Sequence, residues 1–213
     1  MNENPIGIDF LIGFYQIKVV FIIAINIKEI IVDSLLNLCE TIPLEAIKIR
    51  QVLEKSGVSR QTFYNHFIDK NDLVQYVYES RIIPDFNKEN KNLSFYNSLV
   101  ISFENMKKYH IFMKQACMIE GQNSLKDYIF EHCKEFDLRW HQELYGSKLM
   151  PDNLKFATEY HAMASSSMAL SWILSDMPVD SREIAEMIVK MRGLGMEELF
   201  KDGEYKGNPY KID

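Results

Sequence analysis

The chain has 213 residues, of which 47% are hydrophobic, and its formal net charge is −6. This length and apolar content suffice for one large core or two modest ones. The absence of low-complexity windows and internal repeats excludes fibrous and repeat architectures. Three cysteines, Cys39, Cys117 and Cys133, form no metal-type spacing and cannot all pair as disulfides, so we expect a reduced, cytoplasmic setting.

Residues 1–25 form a very apolar N-terminal extension. A membrane-spanning helix needs about 20 residues with few or no charges, whereas Asp9 and Lys18 interrupt this stretch. A secretory signal starts with basic residues, and this one starts with acidic residues. We interpret the extension as a segment packed on the first helix, or as translated sequence upstream of the natural start, in preference to a membrane anchor. No membrane partner is expected.

Residues 26–83 predict a small helical domain. Apolar residues recur at helical spacing over 26–40, and Pro43 then interrupts the pattern. A second helix is predicted over 49–56 and a third over 60–67. A fourth helix, capped by Asp69, is expected to run toward Ile83.

The segment between the second and third helices has the pattern of a helix–turn–helix. Gly57 suits the left-handed position that ends a helix, and Ser59 suits the N-cap of the next one. Val58, Phe63 and Phe67 give the third helix an apolar inner side. Its outer side consists of residues that all donate hydrogen bonds, namely Arg60, Gln61, Thr62, Tyr64, Asn65 and His66. This geometry enters the major groove of DNA.

Residues 47–73 resemble the N-terminal DNA-binding domain of TetR-type transcriptional regulators. The resemblance is carried by Gly-Val-Ser at 57–59, by Thr-Phe-Tyr-Asn-His-Phe at 62–67 and by Lys70. It implies an all-α homodimer whose N-terminal domain binds double-stranded operator DNA. The larger C-terminal domain of this family dimerises and usually binds a small-molecule effector.

The resemblance also implies roles for individual side chains. It places phosphate contacts at Thr62, Tyr64, His66 and Lys70, and base contacts at Arg60 and Gln61. The full set of candidate DNA-binding residues is Lys48, Arg50, Ser59, Arg60, Gln61, Thr62, Tyr64, Asn65, His66 and Lys70. Lys48 departs from the family pattern, because a Thr or Ser often caps the helix there, but it is also a candidate phosphate contact. Residues 48–70 hold five basic and two acidic residues, although the surrounding domain is net acidic.

Residues 84–213 predict a larger helical domain behind a polar linker at 85–93. Helices are expected over 95–106, 109–119, 125–145, 152–175 and 181–191, with Ser94 and Ser124 as N-caps. We expect the tail from Gly193 onward to fray.

The aromatic face of the helix over 125–145 is the candidate effector pocket. Apolar side chains with a few polar tips are typical of small-molecule sites. The candidate pocket residues are Phe112, Met113, Cys117, Tyr128, His132, Phe136 and Trp140, together with Cys133. The alternative is that these residues are simply core.

A stripe of mostly small residues on the helix over 152–175 is the candidate dimer interface. It consists of Ala157, His161, Ala164, Ser165, Met168 and Ser171. Two such helices from each subunit would form a four-helix interface. Packing within one subunit is the alternative.

Residues 120–131 resemble a subgroup of the same family that is associated with dihydroxyacetone-kinase operons. Some members of this subgroup are activators that bind a kinase-like protein instead of a small ligand. We therefore predict a transcriptional regulator, a repressor released by a small effector, with an activator or an interaction module sensing a protein partner as the alternative. No enzyme, cofactor or metal site is predicted, because the five histidines include no H-x-x-x-H pair and no nucleophile motif is present.

Overall fold

A computed structural model describes residues 27–84, 94–205 and 208–212. Within these ranges the chain is all-α, as predicted, and contains no strand. None of the described helices is long and apolar enough to cross a membrane. The apolar extension over 1–25 and the whole predicted linker over 85–93 lie outside the described residues.

The helices follow the predicted order. The first helix, α1, spans residues 27–39, and a short 3₁₀ turn follows at Leu44–Ala46. The remaining helices are α2 (Ile49–Ser56), α3 (Arg60–Tyr64), α4 (Lys70–Arg81), α5 (Phe95–Lys108), α6 (His110–Met118), α7 (Leu125–Tyr145), α8 (Asp152–Leu174), α9 (Ser181–Gly193) and α10 (Met196–Leu199).

Contacts divide the described chain into two compact units, one ending at Lys70 and one beginning at Asn71. The predicted domain boundary lies after Ile83, so most of α4 falls in the second of these units and not in the first. In the first unit, the apolar side chains of α1, α2 and α3 bury one another. Its fully or almost fully buried residues include Ile31, Leu35, Leu44, Val52 and Phe63.

The second unit is built on long helix pairs. Helix α7 packs along α8, α5 packs on α9, and α6 packs on α8. Both predicted N-caps are present, since Ser94 Oγ accepts the Asn97 N–H at 3.2 Å and Ser124 Oγ accepts the Asp127 N–H at 3.2 Å. These caps satisfy donors that helix ends otherwise leave unpaired.

The expectation that the tail beyond Gly193 frays is wrong. The backbone N–H groups of Glu204 and Tyr205 donate to the carbonyls of Tyr145 and Leu144, both at 2.9 Å. They thereby satisfy acceptors that the end of α7 leaves without a helical partner. Further along, Tyr210 is 5% exposed. The tail is therefore part of the core of the second unit.

Candidate functional site

The turn between α2 and α3 has the geometry that its sequence predicted. Gly57 takes the left-handed conformation, with a φ of 69°, and its N–H donates to the Leu53 carbonyl. Ser59 then caps α3, because its Oγ accepts the Thr62 N–H at 3.1 Å. Helix α3 ends at Tyr64, three residues before its predicted end, since the His66 N–H tightens the last turn by donating to the Phe63 carbonyl.

The outer face of α3 presents four exposed side chains. They belong to Arg60, Gln61, Tyr64 and Asn65. The Arg60 guanidinium lies over the Tyr64 ring, 5.6 Å from its centroid, so the cation and the phenol form one surface. Phe63 points the other way and is fully buried. The face therefore offers donors to a ligand while the helix is anchored from behind.

Two basic residues of α2 extend this polar face. Lys48 is exposed at the N-cap of α2. In place of a Thr or Ser cap, the Gln51 side chain accepts the Lys48 backbone N–H at 2.8 Å. Arg50 is also exposed, but its Nε donates to the Glu54 carboxylate at 2.7 Å. A surface groove of about 460 Å³ is bordered by Lys48, Arg50, Arg60 and Tyr64, among others.

Lys70 does not fit its predicted role as a phosphate contact. Its Nζ donates to the carbonyls of Leu44 and Glu45 at 3.1 Å and to that of Ile47 at 3.0 Å. All three ammonium protons are therefore used inside the first unit. Burial lowers the pKa of Lys70 below its ordinary value. The residue ties the start of α4 to the 3₁₀ turn.

Three more of the candidate DNA-binding residues on this face are less able to contact DNA than the sequence suggests. The hydroxyls of Ser59 and Thr62 are 2.8 Å apart and hydrogen-bond to each other. Ser59 is thus primarily a cap. His66 is half-buried beside the end of α3.

A cavity of about 110 Å³ lies in the second unit, and its walls are mainly apolar. Helices α4, α5, α7, α8 and α9 contribute to it. Its lining residues are Tyr78, Ile83, Pro84, Phe95, Ser98, Leu99, Ser102, Phe103, Met106, Ile129, His132, Cys133, Phe136, Asp137, Ser165, Ser166, Ala169, Ile188 and Arg192.

Only some of the predicted pocket residues line this cavity. His132, Cys133 and Phe136 line the cavity. Tyr128 does not, because its hydroxyl donates to the Glu79 carboxylate outside the cavity wall. Trp140 stacks behind the wall on Phe95, with ring centroids 5.2 Å apart.

The residues predicted to form the opposite wall of the pocket lie elsewhere in the second unit. Phe112, Met113 and Cys117 are buried in α6, and none of them lines the cavity. The stripe of α7 that includes His132 and Phe136 faces α5 and α9 across the cavity, so α6 is not its partner there. Burial raises the pKa of the Cys117 thiol to about 12, which keeps it protonated and unreactive.

The cavity lining includes a buried ion pair. The Arg192 guanidinium, on α9, donates through Nη2 to the Asp137 carboxylate on α7. The two side chains are only 4% and 3% exposed. The Phe95 ring covers the guanidinium, 4.6 Å from its carbon. Burial opposes the charge of Arg192, but Asp137 outweighs that effect and raises the pKa, so the guanidinium stays charged.

A chain of hydrogen bonds leads away from the ion pair into the core. Thr158 Oγ1 donates to the Leu154 carbonyl at 2.7 Å, so it accepts from His141 Nδ1, also at 2.7 Å. His141 Nε2 is then the acceptor for the Tyr210 hydroxyl at 2.7 Å. Tyr210 in turn accepts from Arg192 Nη2 at 3.1 Å. Burial lowers the pKa of His141 to about 3, which agrees with this neutral tautomer.

Two buried polar side-chain atoms have no hydrogen-bond partner among the described residues, and both belong to residues that line this cavity. They are Ser166 Oγ and Arg192 Nε. Ser166 has the Cys133 thiol beside it, which is a weak partner. Unpaired buried polar atoms are costly. Their placement at one cavity is typical of a site that takes a polar group from elsewhere.

Four residues of this polar cluster are not among the residues predicted from the sequence, namely Asp137, His141, Arg192 and Tyr210. The sequence does contain a signal for Asp137 and His141. Every fourth residue of α7, from Leu125 to Tyr145, lies on the inner side of the helix. Asp137 and His141 interrupt that line with polar side chains. A polar residue in a buried line needs a partner, although the partner's identity is not local information.

Helix α8 exposes an apolar stripe on the surface of the second unit. Phe156, Tyr160 and Met163 are 74%, 62% and 59% exposed, and Ser167, Ser171 and Leu174 continue their line at spacings of three and four. Of the predicted interface residues, Ala164, Met168 and Ser171 are exposed, whereas Ala157, His161 and Ser165 are half-buried. The predicted stripe was centred about one residue, or about 100°, away from the most exposed apolar line.

Comparison with known proteins identifies both units. Residues 31–77 match the model of the bacterial regulatory proteins of the tetR family, and residues 94–192 match the model of a transcriptional regulator C-terminal region. The HTH-type dhaKLM operon transcriptional activator DhaS of Lactococcus lactis subsp. lactis (strain IL1403) is 21% identical over 123 residues. That match covers 53% of this chain and 66% of the relative, slightly under two thirds of its length.

A solved structure shows the same fold. The dihydroxyacetone kinase operon activator DhaS superposes with a TM-score of 0.59 over 79% of this chain and 94% of that one, at 19% identity. The two family models together span about two thirds of the chain. The chain therefore belongs to the TetR family of bacterial transcriptional regulators, which bind DNA and are not enzymes, as the sequence predicted.

Proposed function

We propose that the chain is a homodimeric, sequence-specific regulator that acts on operator DNA in the cytoplasm and responds to a small molecule in the cavity of its second unit. The observation that carries this proposal is the outer face of α3, where hydrogen-bond donors are exposed on a helix anchored by Phe63. Arg60 and Gln61 read base edges. Tyr64, Asn65 and Lys48 contact phosphates and set the register on the duplex.

Enrichment of duplexes from a random pool tests the DNA-binding part. We expect a palindromic site, because a twofold dimer presents two identical helices. Replacing Tyr64 by Ala weakens binding to all sequences, whereas Gln61→Ala relaxes the preference at one base position in each half-site. Gln122→Ala, an exposed glutamine in a turn of the second unit, is the matched control. If Gln61→Ala selects the wild-type site unchanged, Gln61 does not read bases.

The exposed apolar stripe of α8 supports the dimer. Large exposed apolar side chains in a row mark interaction surfaces. Met187, Met191 and Leu194 of the α9 region are exposed as well. We propose that α8 and α9 of two subunits pack together along this surface. Met163→Glu should yield monomers in analytical ultracentrifugation. Met118→Glu on α6, which is 63% exposed against 59% for Met163, should remain dimeric.

The small-molecule response rests on the cavity and its unpaired polar atoms. Helix α4 begins at Lys70 and carries Tyr78 of the cavity wall, so one helix covalently joins the DNA-binding unit to the ligand site. A ligand that binds one position of Tyr78 better than another shifts the population competent for DNA. We propose that the unliganded protein represses and that the ligand releases it.

Activation is the second candidate, and the relatives favour it, since both are named as activators of an operon. In that case the second unit senses a partner protein in place of, or in addition to, a small molecule. A reporter fused to the selected operator separates the two directions of control. Deleting the regulator raises transcription if it represses and lowers transcription if it activates.

A further inference from the structure

We propose that the cavity of the second unit takes a small, uncharged molecule with an apolar body and a hydrogen-bond-accepting oxygen, which is held by the Nε–H of Arg192. This inference rests on the proposed small-molecule response and specifies the class of ligand. It excludes the anionic effectors that a buried arginine would suggest at first sight.

The volume of the cavity limits the size of the ligand. Its volume is about 110 Å³, somewhat below that of an engineered cavity of about 150 Å³ that takes up benzene. A ligand of at most about six heavy atoms is therefore expected. Aromatic and aliphatic side chains such as Phe103, Met106 and Ile129 form most of the wall, so the body of the ligand is apolar.

The charge of the ligand follows from the ion pair. Asp137 already neutralises Arg192, and both side chains are almost completely buried. An anionic ligand would bring an unbalanced negative charge into this site, or would have to displace Asp137 and leave it unpaired. Either arrangement costs several kcal/mol of desolvation. An uncharged oxygen accepts a hydrogen bond without that cost.

The position of the oxygen follows from the unpaired donors. Arg192 uses Nη2 for Asp137 and Tyr210, and Nη1 lies 3.5 Å from Ser165 Oγ. Its Nε–H has no partner among the described residues, and the hydroxyl of Ser166 on the same cavity wall has only the weakly hydrogen-bonding Cys133 thiol beside it. A carbonyl or hydroxyl oxygen supplies the missing acceptor, and a hydrogen bond from a charged donor is among the stronger ones.

Three probes of six heavy atoms each test the ligand class on the full chain. Cyclopentanone carries the oxygen, methylenecyclopentane has the same shape without it, and butyrate carries a charge. Binding is followed through the methyl NMR signals of Met106 and Ile129 in the cavity wall, with the exposed Met118 as the reference. Cyclopentanone should bind about tenfold or more tightly than either of the other two.

Two matched substitutions show whether the probe binds in this cavity. Ala169→Leu, on α8, fills the cavity and should abolish the shifts caused by cyclopentanone. Ala46→Leu makes the same change at an exposed position of the first unit, outside the cavity wall, and should retain them. Ser166→Ala removes an unpaired hydroxyl and should weaken binding without unfolding the protein.

The outcomes separate the ligand class from the proposed function. Equal binding of methylenecyclopentane, tighter binding of butyrate, or no cavity shift with any probe would each overturn the ligand class, while duplex selection by the same protein would still support the DNA-binding regulator. Conversely, cyclopentanone binding that leaves affinity for the selected duplex unchanged supports the ligand class and contradicts the small-molecule response.

Discussion

The chain contains two arginine–carboxylate pairs in opposite surroundings. On α2, Arg50 pairs with Glu54 one turn away, and the two side chains are 86% and 59% exposed. In the second unit, Arg192 pairs with Asp137, which is 55 residues away in sequence and almost completely buried. Exposed pairs contribute about 0–1 kcal/mol to stability, whereas breaking a buried pair costs about 3–5 kcal/mol.

The first pair belongs to a polar surface that faces solvent, whereas the second belongs to a polar cluster buried inside the fold. Around α3 the polar groups face solvent and are held by their near neighbours in sequence, so their charges can act on an external polyanion. Around Arg192 the polar groups face one another through Tyr210, His141 and Thr158. Their charges cancel inside the fold, and among the described residues Arg192 Nε has no hydrogen-bond partner.

The largest effect is expected from Asp137→Asn. The substitution keeps the shape of the side chain but leaves the buried Arg192 charge without a counterion, so unfolding by urea should require about 3–5 kcal/mol less. Glu54→Gln makes the same chemical change in the exposed pair and should alter stability far less. Equal losses in the two variants would contradict the burial of the second pair.

Acidification should reveal the contribution of His141 to the stability of the fold. Burial lowers its pKa from 6.5 to about 3, so the unfolded chain takes up a proton below pH 6.5 that the folded protein does not accept. This residue's contribution to stability is therefore complete above pH 6.5 and is lost as the pH falls toward 3, by about 1.4 kcal/mol for each pH unit.

The measurement is urea unfolding between pH 7 and pH 5 in wild type and in His141→Gln. The variant is less stable at pH 7, but its stability should fall less steeply with acidification. His110→Gln changes an exposed histidine and should leave the wild-type slope intact. A His141→Gln slope identical to the wild-type slope would show that His141 is protonated in the fold.

A smaller loss is expected when Tyr210 is replaced by Phe. Its hydroxyl donates to His141 and accepts from Arg192, so its removal leaves a buried imidazole nitrogen without a donor and costs about 1–3 kcal/mol. Tyr205→Phe is the matched control, because the Tyr205 hydroxyl makes one bond, to the Asn208 carbonyl, at a half-buried site. A loss no greater than that of Tyr205→Phe would indicate that the tail does not enter the core in solution.

These contrasts also explain what could be read from the sequence. Gly57, Ser59 and Ser124 were assigned correctly because a cap or a left-handed turn depends on residues within three or four positions. Asp137 and Arg192 meet only after α7 and α9 have packed, so no local pattern pairs them. Tyr210 was assigned to a fraying tail for the same reason, since its partners lie 18 and 69 residues away.

The last prediction concerns two lysines, near α2 and α4, that are expected to have different roles. Lys48 is exposed and borders the same groove as Arg60 and Tyr64 of α3, whereas Lys70 gives all three donors to backbone carbonyls. If Lys48 neutralises a phosphate, Lys48→Gln should reduce the slope of log affinity against log salt by about 0.9 for each contact. Lys70→Gln should leave that slope unchanged in protein that is still folded, while lowering the unfolding temperature because three carbonyls lose their donors. A reduced slope in Lys70→Gln would mean that the ammonium group leaves the carbonyls for the DNA, and that the first unit rearranges when it binds.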